Sequence, residues 1–310
     1  MPASSFLPTV SVCIYTCDHP EQLRHTLQSV ADSTMPAHQL IVTDDSSGYD
    51  TREMMRRDYP DITYLEGPRR TPAANRNRAL CAATGSHVLF LDDQTLLGAT
   101  FLQQMAECIA DDHIRRATAG CATPLILTGA ELCQGQRCDP RKPAFLGYPT
   151  QNYRHGERLC TVLLRSAVFP RELFASVVFD EQLAGGYDEL ELSGCAVQEH
   201  GYRIEMVASA VNQRLPSLSG GRSCPASEAS RLFVACRRNG HGRQRPSKVL
   251  FLLMALPHDL GRNLRAAGPH GIRLFYATAS YLWWLLRNRY ADEHLGTGPA
   301  AGLRTPVPRE

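Results

Sequence analysis

His87-Val88-Leu89-Phe90-Leu91-Asp92-Asp93-Gln94 decides how this chain is read. A short apolar run with no alternation reads as a strand buried on both faces. It ends on two carboxylates that packing alone does not call for. Working back toward the N-terminus, similar short runs occur at residues 10–15, 40–43 and 62–65. Amphipathic stretches separate them. Pro20 opens a helix with Leu23, Leu27 and Val30 on one face, a second spans 50–58, and a third spans 72–84 with Gly85 as its C-cap. Another helix begins at Phe101. This β-α-β-α order predicts an α/β fold: a Rossmann-like, mostly parallel open sheet with helices on both faces. Ligands of such sheets bind beyond the carboxyl ends of the strands. Three of those ends carry polar clusters, at residues 15–18, 44–47 and 92–94, which should converge in space.

Each cluster has two physical readings. Asp92 and Asp93 suit a divalent cation, Mg²⁺ or Mn²⁺, bridging to phosphate oxygens; they equally suit a helix N-cap. Asp44-Asp45-Ser46-Ser47 is either an Asp/Ser turn or a carboxylate accepting from a nucleobase N–H or ribose hydroxyl. Within Asn75-Arg76-Asn77-Arg78, an arginine either offsets diphosphate charge by bidentate hydrogen bonding or lies on a solvated helix face. In Gly185-Gly186-Tyr187-Asp188-Glu189-Leu190-Glu191-Leu192, the glycines allow a tight turn. The acids either favour the helix dipole or supply a general base.

Taken together, five blocks resemble the family 2 glycosyltransferases of GT-A fold: Ser11-Val12-Cys13-Ile14-Tyr15-Thr16, Asp44-Asp45-Ser46-Ser47, Ala74-Asn75-Arg76-Asn77, Phe90-Leu91-Asp92-Asp93, and the region from Phe179-Asp180-Glu181 through Gly186–192 to Gly201-Tyr202-Arg203-Ile204. The resemblance covers residues 8–215. It implies an inverting enzyme whose donor is a nucleotide-diphosphate sugar. Thr16, Asp18, Asp44, Asp45, Arg76, Asn77 and Asp92 would bind that donor. Asp93 with Asp92 would hold the metal, and Glu189, paired with Asp188, would be the base. Two departures fall on the metal: Gln94 stands where the family has a third acid, and Asn212 or Gln213 where it has a histidine. The metal is then held loosely, held mainly by Asp93 and substrate oxygens, or dispensable, with Arg76 or Arg78 serving as electrophile. A third departure is Cys195–Ala196, in place of an arginine.

The remainder narrows the field. A net charge of +2 over 310 residues, with Lys142 and Lys248 the only lysines, gives no nucleic-acid footprint. Eleven scattered cysteines without a secretory leader, and Cys133/Cys138 without a second ligand pair, favour a reduced, cytoplasmic protein over a disulfide or zinc framework. No apolar run is long enough to span a bilayer. Residues 126–157 read as a long loop or lid, with Tyr153 and His155, together with Tyr187, as acceptor contacts; the acceptor class (glycan, lipid, peptide or natural product) is open. A strand is expected at 159–164, a linker at 215–225, a C-terminal helical extension at 226–290 broken by Gly240, Pro246, Pro257 and Pro269, and a disordered tail at 291–310. Trp283, Trp284, Arg287 and Arg289 suit a helix docked on the main domain or lying peripherally at the inner face of a membrane. Two rival functions remain: a catalytically silent nucleotide-sugar-binding protein, and a nucleotidyltransferase, which lacks its Gly/Lys phosphate loop here.

Overall fold

A computed structural model describes residues 7–120, 123–216, 224–240 and 248–295. Most of the expected linker, Pro246 and the chain beyond 295 lie outside these. The chain forms two compact units, Met1–Arg222 and Ser223–Glu310.

The first unit opens with β1 (Val10–Thr16), α1 (Pro20–Ala31), β2 (Gln39–Asp44), α2 (Asp50–Asp58), β3 (Thr63–Glu66), α3 (Pro72–Ala82) and β4 (His87–Asp92). It continues through β5 (Thr95–Leu96), α4 (Phe101–Ala119), β6 (Leu125–Cys133), β7 (Gln136–Cys138), β8 (Arg141–Pro143) and β9 (Pro149–Asn152). It closes with β10 (Ala167–Pro170), α5 (Asp188–Gln198) and β11 (Arg203–Arg214). The main sheet runs β3-β2-β1-β4-β10-β6-β11-β5, with β7 paired to β6. β1 is parallel to β2 and β4, β2 to β3, and β6 to β11, whereas β10 is antiparallel to both of its neighbours.

Alternation along β1 explains the layers. Val10, Val12 and Ile14 pack with Leu23 and Leu27 of α1, Met54 and Met55 of α2, and Phe101 and Met105 of α4. Cys13 faces the opposite core, with Ala73 and Ala79 of α3 and Leu192 and Ala196 of α5. Both faces are covered, so the strands read as continuous apolar runs. The second core centres on Phe90, whose ring meets Phe169, Phe174 and Phe179 edge-on with centroids 5.0–6.2 Å apart.

The structure corrects several local expectations. The supposed loop at 126–157 contains β6, a nine-residue strand in the middle of the sheet. Thr128, Gly129 and Glu131 interrupt its apolar pattern, yet all sit inside because tertiary partners take up their polarity. Leu163 N donates to Thr128 Oγ1 at 3.2 Å. A side chain at Gly129 would collide with the Ala210 carbonyl, where β11 shifts register. The expected strand at 159–164 reduces to one bridge, Leu159 to Ile204; the strand proper starts at Ala167, after a 3₁₀ turn at Leu164–Ser166. Gly85 is not a cap. Ala83 ends α3 in extended conformation, and Gly85 is small because a Cβ there would press on Ser11 of β1.

The second unit comprises α6 (Pro225–Gly240), α7 (Lys248–Ala267) and α8 (His270–Leu295). Pro257 does not break α7, and α8 continues past residue 290. Buried Arg231 of α6 reaches Glu228 at 3.0 Å and Asp259 of α7 at 3.7 Å, while Arg262 binds the same two acids. No helix among the described residues is long and apolar enough to cross a membrane.

Candidate active site at the carboxyl edge of the sheet

Strand register brings the polar ends together. Thr16 lies beside Asp44 and Tyr15 beside Asp92. On the other side of β4, Val168 of β10 pairs with both Leu89 and Leu127. The 3₁₀ turn that precedes β10 places Arg165 between β4 and β6, its Nη1 3.5 Å from Asp92 Oδ2 and its Nη2 3.4 Å from Glu131 Oε2. Asn212 of β11 then lies beside Glu131. Asp92, Arg165, Glu131 and Asn212 are thereby neighbours at this edge.

The two carboxylates after β2 have different tasks. Asp44 is buried and committed: it accepts Tyr64 Oη at 2.7 Å and Ser46 N at 2.8 Å. Asp45 is half-buried, accepts Arg69 N at 2.8 Å, and has its carboxyl pushed up by burial. Asn75, fully buried in α3, lies beside it under Gly67, a glycine whose Cβ would strike the Asp45 carboxylate. The sequence assigned Asn75 no role of its own within its block, since nothing local shows that its amide is buried beside Asp45. Asp18 is exposed, with φ +58°, and Ser47 N donates to it at 2.9 Å, which holds its carboxyl below the usual range. Thr16 is buried and donates to Asp93 Oδ2 at 2.7 Å, so it props that acid rather than facing the open edge.

α3 and α5 meet through charge. Arg76 pairs with buried Asp188 at the start of α5, its guanidinium 5.7 Å from the Tyr15 ring and 5.5 Å from that of Phe179. Arg78 is exposed. Asn77 is used internally: its amide donates to Phe179 O at 2.9 Å and Glu181 Oε1 at 3.0 Å and accepts Phe179 N at 3.1 Å. With Asp188 occupied, Glu189 is the open acid. Its carboxylate accepts no hydrogen bond among the described residues, and burial lifts it to about 7, with Asp188 adding and Arg165 and Arg76 opposing.

The donor set at Asp92 and Asp93 does not fit a divalent cation. Asp92 Oδ1 accepts Thr95 Oγ1 at 2.6 Å and Gln94 N at 3.2 Å, and its Oδ2 lies 3.5 Å from Arg165 Nη1. Asp93 Oδ2 is taken by Thr16, by Cys17 N at 3.3 Å and by His19 at 3.4 Å. Gln94 is neutral. Asn212 is buried, donating to Arg165 O at 2.7 Å and accepting Gly98 N at 2.9 Å, while Gln213 is exposed. No group of three or more His, Cys, Asp or Glu among the described residues is arranged to hold a metal. Arg165 was not singled out from the sequence; its one signal is a cation between two apolar runs.

Of the acceptor-side residues, His155 is exposed and Tyr187 caps α5. The Tyr153 hydroxyl is engaged within its own loop, with Thr161 Oγ1 at 2.9 Å and Cys160 N at 3.2 Å. Cys195 lies between Glu191 and Glu199 on α5, its thiol 3.6 and 3.7 Å from their carboxylates.

The strand-end acids, the arginine of α3 and the acidic start of α5 fall in the order of one known family. Residues 11–117 match the family model described as Glycosyl transferase family 2. This part of the chain is a glycosyl transferase family 2 domain. The fold of the first unit is GT-A, as in solved structures of similar shape. S. aureus TarS matches at TM-score 0.54 and 17% identity over 80% of this chain, which spans 43% of TarS. TarS 1–349 in complex with UDP-GlcNAc matches at 0.57 and 15% identity, over 88% of this chain and 80% of that one. The mannosyltransferase PcManGT from Pyrobaculum calidifontis, in complex with GDP-Man and Mn²⁺, matches at 0.53 and 18% identity, over 93% and 81%. At these identities the likeness is one of fold. No curated protein sequence matches the chain. The matched residues end within α4, and Arg165, Asp188 and Glu189 lie beyond them.

Proposed function

We propose that this protein is an inverting glycosyltransferase that moves a sugar from a nucleotide-diphosphate sugar to an acceptor hydroxyl. The observation carrying this reading is Glu189: an unbonded carboxylate at the start of α5, lifted to about 7 by burial and within the fields of Arg165 and Arg76. In that role it takes the acceptor proton as the acceptor oxygen bonds to the anomeric carbon and the bond to the diphosphate breaks. Displacement from the face opposite the leaving group inverts the anomeric centre. Asp45 and Asp18 bind the nucleoside, Asp92 faces the ribose and diphosphate, and Tyr153, His155 and Tyr187 lie on the acceptor side. Donor complexes of proteins with this fold support the donor class. PcManGT was solved in complex with GDP-Man and Mn²⁺, whereas here the positions flanking Asp92 and Asp93 carry neutral Gln94 and Asn212. A thermal-shift screen of UDP-, dTDP- and GDP-sugars tests the reading, because a ligand that binds only the folded state raises the transition by mass action. One donor class should shift it; no shift with any donor at millimolar concentration sinks the proposal.

The second unit supports peripheral attachment to a membrane. Val249, Leu250, Leu253 and Met254 are exposed at one side of α7, and Ile272, Tyr276 and Trp283 are exposed on α8, where Arg287 lies 5.3 Å over the Trp283 ring. Trp283 and Trp284 are the chain's two tryptophans, so selectively excited tryptophan fluorescence reports on α8 alone. Anionic vesicles should shift the emission to the blue and sediment with the protein; unchanged emission and a free supernatant would rule attachment out.

A further inference from the structure

Arg165 stands between two carboxylates, Asp92 and Glu131, at the carboxyl edge of the sheet. We infer that the Arg165 guanidinium, rather than a divalent metal, offsets the charge of the departing diphosphate, making donor binding and transfer independent of metal. The inference rests on the transferase reading above and concerns its electrostatics.

Three observations carry it. The first is the placement of Arg165, in the turn before β10, between Asp92 and Glu131, at the edge where the nucleotide diphosphate of this fold class would lie. The second is spare donor capacity. Its contacts to Asp92 at 3.5 Å and Glu131 at 3.4 Å are longer than the ~2.7–2.9 Å of a charge-assisted hydrogen bond, and its Nε has no partner. A guanidinium has five N–H donors, so it can bind a phosphate oxygen pair without giving up these acids. The third is the fate of the metal positions. Asp92 and Asp93 are bonded by hydroxyls and backbone N–H, Gln94 is uncharged, and the Asn212 amide is spent on Arg165 O and Gly98 N. Asn212 therefore holds the backbone of the residue that supplies the charge.

Glu131 explains how a cation stays in place without a ligand. It is 2% exposed and lies on the central strand β6, so moving Arg165 away would strand a buried carboxylate. The guanidinium is thereby fixed before the donor arrives, as electrostatic stabilisation of a leaving group requires.

The test is isothermal titration of the full chain with the nucleoside diphosphate of the donor class found by the screen and with the matching nucleoside, in EDTA and in Mn²⁺. The wild type should bind the diphosphate with the same Kd within about twofold in both buffers. Arg165→Met should cut the preference for diphosphate over nucleoside at least tenfold, while nucleoside affinity stays unchanged. Arg165→Lys, which keeps the charge and spares Glu131 should the methionine variant misfold, should recover part of that preference and lower kcat more than it raises KM. A tenfold or greater loss of affinity in EDTA overturns the inference, as does an unaltered preference in a folded Arg165 variant. If neither nucleoside nor diphosphate binds in any buffer, the transferase reading itself falls and takes this inference with it.

Discussion

Glu189→Gln should lower turnover by roughly 10²- to 10⁴-fold while leaving donor affinity unchanged. The amide is nearly the same size and cannot accept a proton. The wild-type pH profile should carry the same signature. A base works in its ionised form, and burial lifts this carboxyl to about 7. kcat/KM should therefore fall about tenfold per unit below pH 7 and flatten above it. Stability runs the other way. Because the folded-state value lies above the ordinary 4.5, the native state loses stability as pH rises from about 4.5 to about 7. Glu189→Gln removes that loss, so its gain in Tm over wild type should be larger at pH 8 than at pH 5. A variant that retains a tenth of wild-type turnover would rule Glu189 out as the base. One that abolishes binding as well as turnover would point to a structural role.

Asp188→Asn should be the most destabilising single change at the site, by roughly 3–5 kcal/mol. Asp188 is buried and pairs with Arg76, whose guanidinium lies near the rings of Tyr15 and Phe179. Removing the charge leaves Arg76 in that setting without its counterion. Denaturant titration should show the loss. The double variant Arg76→Met/Asp188→Leu should regain most of it, because an apolar pair carries no desolvation cost. The two adjacent acids of α5 would then be separated by experiment, one holding the helix to α3 and the other left for chemistry. A loss under 1 kcal/mol in Asp188→Asn would contradict this division.

Much of the fold was legible because its signals are local. β1, β2 and β4 are covered on both faces, so each appears as an unbroken apolar run, and each ends in polar residues where the cover stops. The helices between them show their apolar faces at helical spacing. β6 was illegible for the opposite reason: Thr128, Gly129 and Glu131 look like loop residues until Leu163, Ala210 and Arg165 are seen to accommodate them. Pro257 misled in the same way, since tertiary packing can hold a helix through a proline that its own propensity disfavours.

At the site, the chain's own residues determined which strand ends carry acids, that Asp188 and Glu189 open a helix, and that neutral amides stand at Gln94 and at Asn212 and Gln213. Those facts are covalent order and side-chain chemistry. Only the tertiary structure decided which member of each pair is free. Asp44 and Asp188 are engaged by the side chains of Tyr64 and Arg76, residues 20 and 112 positions away, whereas Asp45 accepts a backbone N–H from Arg69 and Glu189 accepts no hydrogen bond among the described residues. It also decided that Arg165, unremarkable in its own stretch, stands at Asp92. An acid's availability depends on what fills its hydrogen-bonding positions, and those partners are brought by the packing of strands, turns and helices distant in the chain.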